Sequence, residues 1–327
     1  MRKKVFVLSV VLAMVMILTS RAPREAAAAE AFPSRNIDFM IGFGSGGGTD
    51  IFCRTISIEA EEYLGVTIVC RNMEGGASAT STEYAMRQPA DGYTLFSVNP
   101  ELIQNTLLGR TRFSYRDLKP ILRAHVDVGS WAVSPKSPFQ TWDEFLAYAK
   151  ANPGRINMGG TGSASFDEFA CASALAQLGI EVTYVPYEAA SEMHAALLGG
   201  HIDMIYEEPG PIIELLKSKE LTALVFFCDK PLTGFEEVPT FGSLGYKVQL
   251  MNWRGLAVRA DTPDETVQKL IDAFVHAWEG EKYTKFASDR YLDLYGGLLT
   301  GQDFFDAMAA EEENAKKIMA DLGYIKP

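Results

Sequence analysis

Short β-branched runs that end in glycine-rich stretches, each followed by a segment with apolar residues three and four apart, set the rhythm of this chain. Ile37 to Phe43 runs into Gly44-Ser45-Gly46-Gly47-Gly48-Thr49-Asp50, and the periodicity from Ile51 to Leu64 predicts a helix. Val66 to Val69 leads into Glu74-Gly75-Gly76-Ala77-Ser78 and a second helix through Arg87. The unit then returns. Ile156 to Met158 enters Gly159-Gly160-Thr161-Gly162-Ser163-Ala164-Ser165, and an amphipathic helix follows to about Leu178. Strands at Val182 to Val185, Ile202 to Tyr206 and Leu221 to Phe227 alternate with helices at Ser191 to Leu198 and Pro211 to Lys217. Between the two units, Thr141 and Glu144 have the spacing of a capping box, with Trp142, Phe145, Leu146 and Ala149 on one helical face. Thr262, Pro263 and Glu265 open a long helix whose apolar face is Val267, Leu270, Ile271, Phe274 and Trp278. A last helix spans about Asp303 to Leu322, with Glu311 to Glu313 as a solvated face. This alternation predicts an α/β protein with mostly parallel sheets flanked by helices.

Length turns the two units into two lobes, because 327 residues exceed one typical domain and 47% hydrophobic content supplies a core for each. The N-terminus stands apart from both. Met1-Arg2-Lys3-Lys4, an apolar run from Val5 to Leu18 and then Ala26 to Ala29 have the three parts of a secretory signal peptide, with cleavage after Ala29. The run is shorter than the roughly 20 residues that span a bilayer, so a cleaved leader (1–29) is the expectation and a membrane anchor is not. The formal charge is −12, and removal of Arg2, Lys3, Lys4, Arg21, Arg24 and Glu25 makes the remainder more acidic. Nucleic acid and anionic membrane surfaces are therefore poor partners, and no nucleic acid is expected.

A glycine loop entering a helix aims backbone N–H groups outward at the positive end of the helix dipole, which suits a carboxylate or phosphate. Two such loops at the carboxyl ends of parallel strands can face one crevice. Gly42-Phe43-Gly44-Ser45-Gly46-Gly47 also fits the dinucleotide fingerprint, which keeps an NADP-dependent Rossmann oxidoreductase as an alternative. The acid expected after the second strand is missing there, since Cys70-Arg71-Asn72 stands in its place, although Arg71 could meet a 2′-phosphate. His125, His194, His201 and His276 are scattered without metal or catalytic spacing, and G-x-S-x-G is absent. No catalytic residue, metal or cofactor is expected.

These residues resemble the Bug family, the solute receptors of tripartite tricarboxylate transporters, over essentially the whole chain after the leader. The resemblance is carried by Phe32-Pro33-Ser34-Arg35, the Gly42 to Asp50 loop, Pro89-Ala90-Asp91-Gly92-Tyr93-Thr94-Leu95, Ala149 to Gly154, Val185-Pro186-Tyr187, Leu197 to Asp203 and Val238-Pro239-Thr240. It implies a two-lobed periplasmic binding protein fold with residues 30–132 and 255–327 in one lobe and 133–254 in the other. It implies a periplasmic receptor, a monomer that gives a small carboxylate to membrane permease subunits or, as an alternative, one that reports to a sensor kinase. Carried over residue by residue, Phe43 would cover the ligand, Gly44, Ser45, Gly47, Gly48, Thr49 and Asp50 would supply donors, and Gly76 and Ala77 would form the floor. Ser97 and Asn99 would follow the third strand, with Thr161, Ser163, Ser165 and Tyr187 binding from the second lobe. Gly42, Ser45, Glu188, Glu207-Glu208 and Arg254 depart from the family pattern. The added acid admits a ligand carrying an amine, whereas Arg254 would grip a second carboxylate or else serve as a hinge ion pair.

Four cysteines in an exported chain suggest two bridges. Cys53 with Cys70 and Cys171 with Cys228 are the pairs that stay within a lobe and leave a hinge free; buried free thiols are the alternative.

Overall fold

The computed structural model describes residues 31–326. Contacts divide the chain into Met1–Ser34 and Arg35–Pro327, and all helices and strands described below belong to the second unit. The expected leader, 1–29, lies outside the described residues.

In chain order the elements are β1 (Ile37–Ile41), α1 (Gly48–Leu64), β2 (Ile68–Asn72), α2 (Ala79–Ala85), β3 (Thr94–Val98), α3 (Glu101–Leu107), β4 (Leu118–Asp127), β5 (Gly129–Val133), α4 (Trp142–Ala151), β6 (Asn157–Thr161), α5 (Phe166–Leu178), β7 (Thr183–Tyr187), α6 (Ala190–Gly199), β8 (Met204–Glu207), α7 (Pro209–Lys217), β9 (Thr222–Phe227), β10 (Asn252–Arg259), α8 (Asp264–Glu279), α9 (Glu281–Asp289), β11 (Leu299–Thr300) and α10 (Gly301–Asp321). The strands make a six-stranded sheet, β11-β4-β10-β3-β1-β2, and a five-stranded sheet, β7-β6-β8-β5-β9. This is the two-lobed α/β architecture expected from the sequence, but both sheets are mixed. β1 pairs in parallel with β2 and β3, and β6 with β7 and β8, whereas β10 runs antiparallel to β3 and β4, and β5 antiparallel to β8 and β9. The antiparallel strands are the ones that carry the chain between sheets. β4 ends in the first sheet at Asp127 and β5 begins the second at Gly129; the chain returns through β10, whose Asn252 already pairs with Asp127. Residues 129–132 therefore lie in the second sheet and 252–254 in the first.

Local chemistry fixes the helix starts. The Thr141 hydroxyl accepts from the Glu144 N–H at 3.3 Å, while the Glu144 carboxylate turns to the Gln140 N–H at 2.8 Å, one residue outside the expected box. The second lobe is built around Trp131, fully buried with its ring 5.2 Å from Phe227, 5.4 Å from Phe145 and 6.2 Å from Trp142. Such edge-to-face clusters dominate core energetics, and removing a buried tryptophan side chain costs about 3–5 kcal/mol.

The four cysteines are free thiols, contrary to the two bridges expected. Strand alternation explains one failure. Cys171 packs with Trp131 and Phe227 on one face of the second sheet, whereas Cys228, one residue beyond Phe227, joins Phe226 and Leu232 on the opposite face. The Cys228 thiol donates to the Lys230 carbonyl at 3.1 Å instead. In the first lobe Cys53 is wholly buried on the inner face of α1, while Cys70 meets the Ser57 hydroxyl at 3.7 Å. Burial raises the pKa of both thiols, which disfavours the thiolate that bridging chemistry needs.

Candidate functional site

The carboxyl ends of both sheets meet at a narrow cleft with a cavity of about 20 Å³. A larger hollow of about 540 Å³ lies behind it among His125, Trp278, Tyr283 and the 287–298 segment, but its lining is chiefly apolar, and polar groups converge on the cleft instead. The lobes touch across the mouth. A Cβ at Gly44 would stand 2.5 Å from the Ala189 Cβ, and the Arg110 guanidinium donates to the Ala164 carbonyl at 3.0 Å.

The first wall is the loop between β1 and α1. Its shape is held by Asp50, whose carboxylate accepts from the Gly46 N–H at 3.2 Å, Arg54 at 2.9 Å and the Asn72 amide at 2.9 Å. Asp50 thus braces the loop. The first turn of α1 leaves the N–H groups of Gly48 and Thr49 without partners inside the helix, at its positive end. Gly48 must lack a side chain because the Arg254 guanidinium lies against its Cα, with Cζ 2.8 Å from where a Cβ would be.

Arg254 comes from β10 and is buried. It pairs with Asp127 of β4 at 2.6 Å and with Glu208, at the end of β8, at 2.9 Å, and it donates to the Thr49 hydroxyl. Burial opposes its charge, but Asp127, Glu208 and Glu101 overcome that and raise its pKa above the usual arginine value. Asp127 behaves as the matching anion: burial pushes it up, yet Arg254 and His125 hold it below the ordinary carboxylate range. Burial pushes Glu207 up, but His194 at 2.7 Å and hydrogen bonds from Glu208 together hold it below the ordinary carboxylate range.

For the remaining acids burial outweighs the compensation. Burial lifts Glu101 to about 7 against the hydrogen bonds from its own N–H and that of Phe166. Asp167 is lifted to about 7 by burial, with Glu207 and Glu101 adding repulsion, although it accepts from both the N–H and the hydroxyl of Thr161 at 2.8 Å. Glu208 is raised well above its usual value by burial and by Asp127, Glu207 and Asp167, despite Arg254. It accepts from the Asn252 amide at 2.7 Å.

Of the residues expected at the site, Phe43, Gly44, Gly47, Gly48, Thr49, Thr161, Glu207 and Arg254 line this cleft. Ser45 and Ser163 are exposed beside it. Gly76 and Ala77 lie outside the lining, and Ala77 lends its carbonyl to Asn105 at 2.6 Å. The Ser97 hydroxyl accepts from the Gly42 N–H at 3.3 Å, Asn99 is buried beside the start of α3, and Ser165 caps α5. Tyr187 lends its carbonyl to the Gly162 N–H at 2.8 Å. In the second glycine loop, Asp167 takes the Thr161 donors and Glu168 takes the Ala164 N–H at 2.6 Å, so side chains of this chain occupy amides expected to face a ligand. Glu101, Asp167 and Asn252 line the cleft without having been singled out. Glu101 could have been found, since it follows Asn99-Pro100 at the same carboxyl edge as the glycine loops. Arg71, the candidate for a nucleotide phosphate, instead pairs with Asp38 at 2.7 Å.

Comparison with known proteins agrees with the two-lobed fold. An UPF0065 protein from the gbd 5′ region of Cupriavidus necator is 29% identical over 303 residues, covering 92% of this chain and 91% of that one. Protein BugT of Bordetella pertussis is 26% identical over 222 residues, covering 67% and 68%. Among solved structures, a periplasmic transporter superposes with a TM-score of 0.83 at 25% identity over 90% of this chain and 99% of its own. The periplasmic binding protein BugD gives 0.84 at 18% over 90% and 100%, and an R. palustris protein with adipate gives 0.80 at 23% over 89% and 98%. The profile of the tripartite tricarboxylate transporter family receptor matches residues 52–324, and the chain belongs to that family.

Proposed function

We propose that the chain is a periplasmic, monomeric receptor that closes two lobes, one built on each sheet with the crossings at 128 and 251, on a small organic molecule bearing a carboxylate and delivers it to a membrane permease. The observation that carries this reading is the first turn of α1, whose N–H groups at Gly48 and Thr49 open on a cleft between two lobes. A carboxylate placed there gains both hydrogen bonds and the helix field. Fold neighbours solved with adipate and with malate define the first ligands to try. The contracted cleft requires the lobes to part before a ligand enters, and β4–β5 and the return into β10 are the segments that must flex.

The test is a thermal-shift and native mass-spectrometry screen of the protein against mono- and dicarboxylates with and without amines. A ligand at 100-fold its Kd stabilises by about 2.7 kcal/mol. At least one acid should give a one-to-one complex and raise the melting temperature, without being consumed. No complex with any acid in the panel refutes the proposal.

A further inference from the structure

The cleft holds more anionic groups than its cations answer. Glu101, Asp167, Glu188, Glu207 and Glu208 line it with Arg254, and Asp127 lies directly behind that arginine. Asp127 answers Arg254, and His194 on α6 answers Glu207. Glu101 and Asp167 have no cationic side chain among the described ion pairs, and Glu208 shares Arg254 with Asp127. A second and independent observation gives this excess a direction. Glu101 Oε2 and Asn252 Oδ1 are buried acceptors with no hydrogen-bond donor among the described residues, on side chains that are 3% and 5% exposed and that line the cavity. Buried acceptors without donors are costly, so a site that keeps two of them is complementary to a ligand that brings N–H donors. Among the described residues no three His, Cys, Asp or Glu side chains converge closely enough to hold a metal ion, which leaves an organic cation as the matching chemistry.

We propose that Glu101 and Asn252, with Asp167 and Glu208 beside them, form an ammonium subsite, so that the solute received carries a protonated primary amine. The proposal rests on the carboxylate reading above only for the other end of the solute. The cavity of about 20 Å³ suits a group of that size, because about 10–15 Å³ by the same measure holds one water. The amine's three N–H bonds meet acceptors supplied by both lobes: Glu101 from α3 and Asn252 from β10 on one side, Asp167 from α5 and Glu208 on the other. Binding then draws Glu101 and Asp167 into their ionised forms and releases protons. The groups facing them, Arg254, Asp127, Glu207, Glu208 and His194, are already engaged with one another.

Matched pairs measured by calorimetry from pH 6 to 8 test this: succinate against aspartate, glutarate against glutamate, butyrate against 4-aminobutyrate, and putrescine as a diamine without a carboxylate. At least one amine-bearing acid should bind about tenfold or more tightly than its partner lacking the amine, as a charge-assisted hydrogen bond implies. Its affinity should rise with pH, with proton release visible in buffers of different ionisation enthalpy, whereas a plain dicarboxylate should weaken over the same range. In Glu101→Gln the preference for the amine should fall below about threefold while the variant stays folded by circular dichroism. Equal or tighter binding of the acids without amines overturns the ammonium subsite and leaves the carboxylate reading standing. Binding of putrescine alone supports the subsite and overturns the carboxylate reading, and no binding by any compound overturns both.

Discussion

Replacing Arg254 by Met removes the charge at the junction of the two sheets while keeping most of the aliphatic stem. The structure sets the magnitude. Arg254 is 5% exposed and holds Asp127 at 2.6 Å and Glu208 at 2.9 Å, so its loss leaves Asp127 buried with only His125, 3.3 Å away, beside it. Removing one partner of a buried ion pair costs about 3–5 kcal/mol. At about 2 °C per kcal/mol for a chain of this size, the melting temperature should fall by about 6–10 °C at pH 7. The pH dependence carries the sharper test. In the native protein Asp127 titrates below its unfolded value, so its stabilising contribution is present above the unfolded pKa and is lost as pH falls through the folded one. Without Arg254, burial dominates and the folded pKa of Asp127 rises, so acid now relieves the variant. Urea titrations of both proteins between pH 4 and 8 should show the deficit narrowing as pH falls. A deficit under about 1 kcal/mol at pH 7, typical of exposed pairs, or one that widens in acid, would refute the reasoning.

Glu101→Gln should stabilise the ligand-free protein at pH 8 and leave it unchanged near pH 4.5. The folded pKa of about 7 lies above the ordinary 4.5, so stability is lost as pH rises between them, by about 3 kcal/mol at most; equal melting temperatures for both proteins at pH 8 would count against it. Gly44→Val should hold the lobes apart, because a side chain there meets Ala189 and the Glu74 carboxylate, 2.6 Å from the added Cβ. Small-angle scattering should show an expanded particle and calorimetry a loss of ligand affinity, and unchanged compactness would contradict the packing. Four thiols should react with a disulfide reagent after denaturation without reductant, since none is bridged; two or none would contradict the structure.

Much of the fold could be read from the chain because each strand, glycine loop and helix announces itself locally. Ile37 to Phe43, the Gly44 to Asp50 turn and the helix after it stand within a few residues of β1 and α1, and Leu270 and Phe274 do face the core from α8. The antiparallel strands were harder. β4 carries Lys119, Arg123, His125 and Asp127 among its apolar residues, and its partner β10 lies more than a hundred positions on, so no local rhythm marks their pairing. The site divides in the same way. Phe43, Gly44, Gly47, Gly48 and Thr49 fall in one short loop and could be grouped by sight, whereas Glu101, Asp167 and Asn252 come from α3, α5 and β10 and meet only through tertiary packing. The cysteine pairing failed for a related reason. Sharing a lobe does not set which face of the sheet a side chain takes, and Phe227 and Cys228 point to opposite sides of theirs.

The sharing of Arg254 between lobes has an evolutionary consequence. One side chain closes the joint between β10 and β4, touches Thr49 in the ligand loop and reaches Glu208 across the cleft. A change at position 254 is therefore pleiotropic, altering the stability of the scaffold together with its affinity for any solute. Positions 101 and 252 carry less, since each keeps one buried acceptor that meets no donor among the described residues. Drift toward new solutes has its open route there, and descendants of this receptor should diversify at those two positions long before they part with the arginine.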